Sequence, residues 1–311
     1  MYFNNIKNKV IRFKMKYFSP MKKYLVLFLI LSLFSISCSS DDDTIEDDPI
    51  QVLEEETRLN VSYGQHPRQV YDLYLPEGRT SEKTKVIVLV HGGGWTSGDK
   101  SDMSQFVTFL RENHPDYAIA NINYVLADFG VPAFPNQFLD LGRVISQLTT
   151  QQNELQIQPQ FGLIGTSAGA HISLMYDYVY DTNSQIKFVA DIVGPTDFTD
   201  PFYANDPNFP LALLLLADAS AYPPGTDLAV ALSPALQVSS SSAPTILFYG
   251  DQDPIVPLTN GQSLATALKE EGITHSFTVY EGGHGDDWSA SDLVDLQQKL
   301  ENFILTHLPL Q

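Results

Sequence analysis

Cysteine is nearly absent from this chain of 311 residues, which has one Cys, two Trp and only 18 Lys and Arg against 37 Asp and Glu. A single Cys excludes an intrachain disulfide and a zinc site built on several cysteines. The formal net charge of −19 argues against a nucleic-acid-binding protein, because such proteins bind phosphates through Lys and Arg. Apolar residues make up 43% of the chain. That content allows a sizeable core and excludes a wholly disordered or fibrous protein.

The start of the chain differs from the rest in charge. Residues 1–37 contain seven Lys and Arg and no Asp or Glu, and an apolar stretch over residues 25–36 follows the basic part. A basic segment, a short apolar segment and small residues at its end predict a secretory signal peptide over residues 1–37. The apolar stretch is shorter than the roughly 20 residues that a membrane-spanning helix needs.

Cys38 stands directly after the predicted signal peptide. Its placement resembles the lipobox of bacterial lipoproteins, in which the Cys becomes the acylated first residue. The Ser and Asp residues over 39–43 resemble the acidic export tag of surface lipoproteins of Bacteroidota-type bacteria. The resemblance implies a protein that acyl chains on Cys38 hold on the outer membrane at the cell surface, with no other membrane contact. We interpret residues 38–54 as the acylated Cys and an acidic tether; the alternative is a buried or free Cys.

Residues 55–311 alternate short apolar runs with helical patterns. The predicted strands are residues 70–75, 86–90, 117–124, 161–164, 188–193, 245–249 and 276–280. The predicted helices are residues 103–112, 136–152, 168–178, 261–271 and 289–305. The alternation predicts one α/β domain with a mostly parallel central sheet flanked by helices. Residues 198–240 break the rhythm and predict an insertion over one end of the sheet, a candidate lid.

A candidate nucleophile lies between a predicted strand and a predicted helix, where residues 165–169 read GTSAG. A Ser hydroxyl is a poor nucleophile unless a base takes its proton, and a sharp strand-to-helix turn would expose Ser167 at the carboxyl edge of the sheet. Gly165 and Gly169 fit this turn, because we expect larger side chains to collide across it. A glycine-rich turn with a capping Ser is the alternative.

A second glycine-rich segment follows the predicted strand 86–90, where residues 91–95 read HGGGW. Backbone N–H groups in such a loop can stabilise a negative oxygen in a transition state. Gly93 and Gly94, together with the N–H of Ala168, are therefore the candidate oxyanion hole. A flexible glycine loop is the alternative for this motif. We interpret His91 as a residue that fixes the loop; the alternative for His91 is the catalytic base.

The base and its partner must come from other loops. His284 follows the last predicted strand and is the candidate base, since histidine exchanges a proton near neutral pH. Asp251 and Asp253 both follow the preceding strand and could orient the imidazole. Asp253 is favoured because it lies farther past the strand, and we expect Asp251 to brace the turn. His171, one helical turn after Ser167, is interpreted as a packing or pocket residue.

The order Ser, Asp, His, with each residue just after a strand, is that of the α/β-hydrolase fold. Residues 55–311 resemble the esterases of that fold, since HGGGW and GTSAG are similar to motifs of carboxylesterases and carbohydrate esterases. Residues 123–127 resemble the NYRLA stretch of that group, although Val125 stands where the pattern has Arg. The acid loop over residues 250–257 looks like that of feruloyl and acetyl-xylan esterases and of prolyl-oligopeptidase-like hydrolases.

The resemblance implies a serine esterase with the triad Ser167, Asp253 and His284, which needs no metal or organic cofactor. Its substrate would be a small ester or a glycan ester, such as an acetyl or feruloyl ester, and the acidic surface favours neutral substrates. Two alternatives stay open. One is a prolyl-oligopeptidase-like peptidase or amidase, which is disfavoured because no large propeller domain is expected. The other is a non-catalytic glycan-binding lipoprotein on a hydrolase scaffold.

Overall fold

A twisted sheet forms the centre of the protein. The computed structural model describes residues 52–310, so the predicted signal peptide and Cys38 lie outside the described residues. The strands are β1 (Glu56–Ser62), β2 (Val70–Leu75), β3 (Val86–Val90), β4 (Ala118–Ile122), β5 (Phe161–Thr166), β6 (Ile186–Ile192), β7 (Thr245–Gly250) and β8 (His275–Tyr280). Their order is β1-β2-β4-β3-β5-β6-β7-β8. β2 is antiparallel to both of its neighbours, and the remaining pairs are parallel.

Helices connect the parallel strands. They are α1 (Ser104–Asn113), α2 (Asn136–Thr150), α3 (Gln152–Leu155), α4 (Ala168–Met175), α5 (Pro201–Ala204), α6 (Phe209–Leu216), α7 (Leu228–Ala231), α8 (Leu258–Glu270) and α9 (Ala290–His307). Among the helices of residues 52–310, none combines the length and the apolar character that crossing a membrane requires. The arrangement confirms the predicted α/β architecture.

The central strands are buried on both faces because their side chains alternate between two cores. In β3, Val86 and Val88 pack into the core formed with α2, α4 and α8. Ile87 and Leu89 point to the opposite face and pack with residues of α1 and α9. An unbroken apolar run is therefore what this position requires, and the prediction for residues 86–90 is confirmed at both ends.

Two local features differ from the sequence-based expectation. β1 was not predicted, because it is a largely exposed edge strand whose sequence, ETRLNVS, shows no apolar run. The helix that follows Ser167 ends at Met175, and a π-helical turn over Tyr176–Tyr180 takes the place of its expected last residues.

The predicted insertion lies between β6 and β7 and contains α5, α6 and α7. The two ends of the insertion are joined by a bond from the N–H of Phe198 to Ser233 Oγ (2.7 Å). The N–H of Ala235 donates to the carbonyl of Thr196 (2.9 Å), which ties the insertion to the segment after β6. Its middle pairs with the segment before α2 through a bridge between Phe134 and Ala217. Phe198 also packs against Trp95, which brings the insertion next to the HGGGW loop.

Candidate active site

Ser167 occupies the turn between β5 and α4 in a backbone conformation that is rare for its residue type. Its φ is 51° and its ψ is −120°, and a positive φ costs energy for any residue with a Cβ. The N–H of Ser167 donates to the carbonyl of Ile192 at the end of β6 (2.7 Å), which holds the turn against the neighbouring strand. The turn thus places the Ser side chain at the carboxyl edge of the sheet.

The two glycines that flank this turn are required for different reasons. A Cβ on Gly165 would lie 2.5 Å from the backbone of Gly169 and Ala170, as expected for a collision across the turn. A Cβ on Gly169 would instead lie 2.1 Å from the carbonyl oxygen of Val90 and 2.5 Å from that of His91. The expected reason for Gly169, a collision across the turn, was therefore wrong. This residue must be glycine because α4 lies against the end of β3.

The structure brings Ser167, His284 and Asp253 into one hydrogen-bonded line. His284 Nε2 lies 2.9 Å from Ser167 Oγ, and His284 Nδ1 lies 2.6 Å from Asp253 Oδ2. These distances fit a ring that donates from Nδ1 to the carboxylate and accepts the hydroxyl proton at Nε2. The three residues follow β5, β7 and β8, so three loops at the same edge of the sheet supply them.

Asp253 is held as an ionised, oriented acceptor. Its side chain is fully buried, and its second oxygen accepts the N–H groups of Ile255 (2.8 Å) and Val256 (3.0 Å). Burial alone would raise the pKa of Asp253, but the hydrogen bond from His284 and those two backbone donors outweigh it and leave the pKa lowered. A charged carboxylate here can stabilise an imidazolium.

The alternative acid, Asp251, does not contact His284. It is exposed, and its Oδ1 accepts the N–H of Gly282 (3.1 Å), which braces the loop that carries the histidine. Two further residues support this loop and were missed from the sequence. Asp287 accepts the N–H of Gly283 (2.8 Å), and the indole of buried Trp288 donates to the carbonyl of Gly283 (3.2 Å). Short-range contacts of this kind leave no spacing pattern in a sequence.

The HGGGW loop runs beside Ser167. A Cβ on Gly92 would lie 3.2 Å from Ser167 Cβ, so the loop passes close to the candidate nucleophile. Gly93 and Gly94 have φ values of 112° and 57°, which favour glycine. Within residues 52–310, the N–H groups of Gly93, Gly94 and Ala168 donate to no other protein group. All three remain available to an incoming oxygen.

His91 is buried under this loop rather than near the Ser hydroxyl. Its Nδ1 donates to the carbonyl of Gly92 (2.6 Å), and its ring stacks on Tyr124 at 4.3 Å between centroids. Burial lowers the pKa of His91. The Tyr124 hydroxyl lies 2.9 Å from the carbonyl of His91 and 3.2 Å from that of Gly92, so it ties the loop from below. The structure places His91 where a loop-fixing residue would stand.

The position that carries Val125 in place of Arg is stabilised by other contacts. The backbone N–H of Val125 donates to Oδ2 of buried Asp140 (2.9 Å). Asp140 Oδ1 pairs with Arg143 (2.5 Å) and accepts from Gln69 Nε2 (2.8 Å). Gln137 adds two bonds, to the carbonyls of Trp95 and Val125. The loops around the site are thus joined through a buried carboxylate.

His171 is a packing residue in the structure. It is fully buried among aromatic rings, and its Nδ1 accepts from the Trp95 indole (3.3 Å) while its Nε2 donates to the carbonyl of Leu232 (2.8 Å). Burial lowers the pKa of His171 to about 4, so the ring is neutral at physiological pH. Among the described residues, no group of three or more His, Cys, Asp or Glu side chains is arranged to bind a metal.

The chain is similar to known proteins in sequence. Residues 71–268 match the profile of a protein family described as BD-FAE. A curated relative, isoprenylcysteine alpha-carbonyl methylesterase ICME of Arabidopsis thaliana, is 26% identical over 243 residues, which are 73% of this chain and 56% of that protein. The chain spans about half the length of the curated relatives that it matches.

Solved structures share the fold at low sequence identity. The carboxylesterase Cest-2923 of Lactobacillus plantarum superposes with a TM-score of 0.67 at 17% identity, over 83% of this chain and 99% of that one. A truncated carbohydrate esterase from gut microbiota gives a TM-score of 0.64 at 19% identity, over 80% of this chain and 97% of that one. The described domain therefore has the α/β-hydrolase fold.

Proposed function

The chain belongs to the BD-FAE family, and on that premise we propose that it is a serine esterase that hydrolyses carboxylic esters through an acyl-enzyme. The observation that carries the proposal is the line of contacts from Ser167 Oγ through the His284 ring to the buried Asp253 carboxylate, at 2.9 and 2.6 Å. The hydroxyl, the base and the orienting acid thus lie at hydrogen-bond distance from one another. That arrangement activates a Ser for attack on a carbonyl.

In the first half-reaction, Ser167 Oγ bonds to the ester carbonyl carbon while its proton passes to His284 Nε2. The carbonyl oxygen becomes an oxyanion, which the N–H groups of Gly93, Gly94 and Ala168 stabilise. As the tetrahedral intermediate collapses, the bond to the alcohol oxygen breaks and His284 returns the proton to that oxygen. The alcohol leaves, and the acyl group stays on Ser167.

In the second half-reaction, water takes the place of the alcohol. His284 removes a proton from the water, whose oxygen bonds to the acyl carbon, and the same N–H groups again stabilise the oxyanion. The bond from the carbon to Ser167 Oγ then breaks, and His284 gives its proton back to the hydroxyl. The carboxylic acid leaves, and the enzyme returns to its starting state without a net change.

Acetyl or feruloyl esters on neutral glycans are the substrates that we favour. A structural neighbour is titled a carbohydrate esterase, and the excess of Asp and Glu over Lys and Arg favours a substrate without negative charge. A peptidase or amidase would use the same three residues, so the leaving group distinguishes the two. Faster cleavage of peptidyl amides than of esters by the wild type would overturn the ester assignment.

We also place the enzyme at the cell surface, anchored to the outer membrane through acylated Cys38. The support is the sequence alone: the basic and apolar start of the chain, the position of Cys38 and the acidic residues after it. Metabolic labelling with a fatty acid should mark the wild type and not Cys38→Ala. Equal labelling of both proteins would contradict the anchor while leaving the esterase proposal intact.

A serine-reactive fluorophosphonate probe and p-nitrophenyl acetate together test the activity. The wild type should label at Ser167 and hydrolyse the ester, and Ser167→Ala should do neither. Ser146→Ala, which removes an exposed hydroxyl from α2, is the matched control and should behave as wild type. A wild type that neither labels nor hydrolyses esters would favour the non-catalytic glycan-binding alternative.

A further inference from the structure

A cavity of about 320 Å³ lies beside the ring of His284. Thr166, the residue before the nucleophile, lines it as well. Its lining is mostly apolar and comes from α1, the end of β6, the segment before α9 and α9 itself. The apolar residues are Phe106, Phe109, Ile192, Val193, Trp288, Leu293 and Leu296, and Gln105, Asp286 and Gln297 also line it. This volume is at the lower end of the range for small-molecule pockets, and it far exceeds what the methyl of an acetyl group fills.

Val193 reaches this wall through a strained backbone. Its φ is 51°, an outlier for a β-branched residue. Hydrogen bonds on both sides impose the conformation: the N–H of Val193 donates to the carbonyl of Phe248 (2.9 Å), and that of Gly194 donates to Asp191 Oδ1 (2.8 Å). Val193 is 3% exposed. The strained turn therefore directs a buried Val side chain into the cavity beside His284.

The same turn is tied to the nucleophile. The N–H of Ser167 donates to the carbonyl of Ile192, the residue before Val193, at 2.7 Å. One hydrogen bond thus fixes the distance between the wall of the cavity and the Ser backbone. The cavity therefore lies against Thr166, which precedes the nucleophile, and against His284, which contacts its hydroxyl.

Ester chemistry and the apolar lining together indicate which part of a substrate enters. Sugar hydroxyls would lose their hydrogen bonds to water in an apolar cavity, so the glycan alcohol belongs outside. The acyl group stays bonded to Ser167 after the alcohol has left and needs a place to lie. We propose that this cavity receives the acyl group and that Val193 determines which acyl groups fit. This inference rests on the proposed esterase function.

The test compares p-nitrophenyl esters from acetate to octanoate, in which only the acyl chain changes. Val193→Gly removes the Val193 side chain from the wall, and glycine also suits the left-handed backbone. It should raise the ratio of kcat/KM for octanoate over acetate by about 10-fold, a typical effect of pocket volume. Leu293 lines the cavity and is 43% exposed, so Leu293→Trp can fold and should narrow the cavity. This variant should lower the same ratio by about 10-fold.

Gln156→Gly is the matched control, since Gln156 has a φ of 53° at the end of α3 and does not line the cavity. It should leave the ratio unchanged. Unchanged ratios in both cavity variants, with Ser167-dependent acetate hydrolysis intact, would overturn the acyl-pocket assignment alone. Selectivity that instead follows the alcohol length in a series of alkyl acetates would also overturn it. Absence of any Ser167-dependent hydrolysis would end both proposals.

Discussion

A tyrosine hydroxyl beneath the site leads to the most specific prediction. Tyr249 Oη lies 2.6 Å from Asp191 Oδ2 and 2.6 Å from the carbonyl oxygen of Gly194. A phenol has one hydrogen, and a carbonyl has none to give. The second short contact therefore needs a proton on Asp191, which donates to Tyr249 while Tyr249 donates to Gly194. Burial points the same way: it raises the pKa of Asp191 to about 7, although the hydrogen-bond contacts with Tyr249 and Gly194 act in the opposite direction.

The raised pKa fixes how stability should change with pH. In the unfolded chain Asp191 titrates near the ordinary value of 3.8, so over the range between the two values the unfolded state has lost a proton that the native state keeps. The contribution of this group is complete below the unfolded pKa and is lost as the pH rises through the folded one. At about 1.4 kcal/mol per pH unit, the wild type should lose roughly 3 kcal/mol between about pH 5 and about pH 8 through Asp191.

Asp191→Asn removes this titration with little change of shape. The amide Nδ2 can donate to Tyr249 as the protonated acid does, and the amide oxygen can still accept the N–H of Gly194, now 2.8 Å from Asp191 Oδ1. The free energy of unfolding can be measured in urea at pH values from about 5 to about 8. Over this range we expect it to fall by about 3 kcal/mol more in the wild type than in the variant. Buried Asp177, whose pKa is also raised to about 7, is present in both proteins and cancels.

The control is Asp251→Asn, which removes an exposed carboxyl from a nearby loop and should follow the wild-type curve. If Asp191→Asn and the wild type lose stability in parallel over the whole range, Asp191 is ionised in the native state. The assignment of a proton to Asp191, which donates it to Tyr249, would then be wrong.

Three further predictions concern the site itself. Asp253→Asn should lower kcat by about 10⁴-fold because an amide cannot stabilise the imidazolium, while Asp251→Asn in the same loop should keep most of kcat; equal losses would contradict the assignment of the acid. Tyr124→Phe removes the hydroxyl that ties the HGGGW loop and should lower kcat more than it raises KM in steady-state kinetics; a pure KM effect would argue against a role in positioning the oxyanion donors. Gly169→Ala places a Cβ 2.1 Å from a backbone oxygen and should destabilise by about 3 kcal/mol or more in thermal unfolding, whereas Gly272→Ala, in open space at a φ of +72°, should cost about 1 kcal/mol.

The sequence predicts the buried strands well because most of their side chains must be apolar. β2 and β3 were predicted with the bounds that the structure has. The same logic fails for β1, which pairs with β2 alone and leaves much of its length exposed. β1 is a strand because its backbone forms hydrogen bonds with β2, and the residue pattern of β1 does not show such bonds.

The sheet topology predicts which residues meet at the candidate site. Parallel strands end at one edge of the sheet, so polar residues placed directly after β5, β7 and β8 are expected to meet. The choice between Asp251 and Asp253 cannot be made from topology alone, because it depends on how the loop turns. In the structure the N–H groups of Ile255 and Val256 bind one oxygen of Asp253 and leave the other for His284. The cavity beside His284 depends on the side chains of three separate elements and could not be read from spacing.

Three of the six non-glycine residues with a positive φ among residues 52–310 lie where the chemistry is proposed. Trp95, Ser167 and Val193 have positive φ values of 64°, 51° and 51°, and they follow the adjacent strands β3, β5 and β6. Each such residue costs of order 1–3 kcal/mol and persists only where its surroundings impose it. Here those surroundings are parallel strands buried on both faces, which cannot shift to relieve a turn at their ends. A rigid sheet thus lets three loops keep conformations that would relax in isolation, and those conformations set the positions of the glycine loop, the nucleophile and the cavity wall.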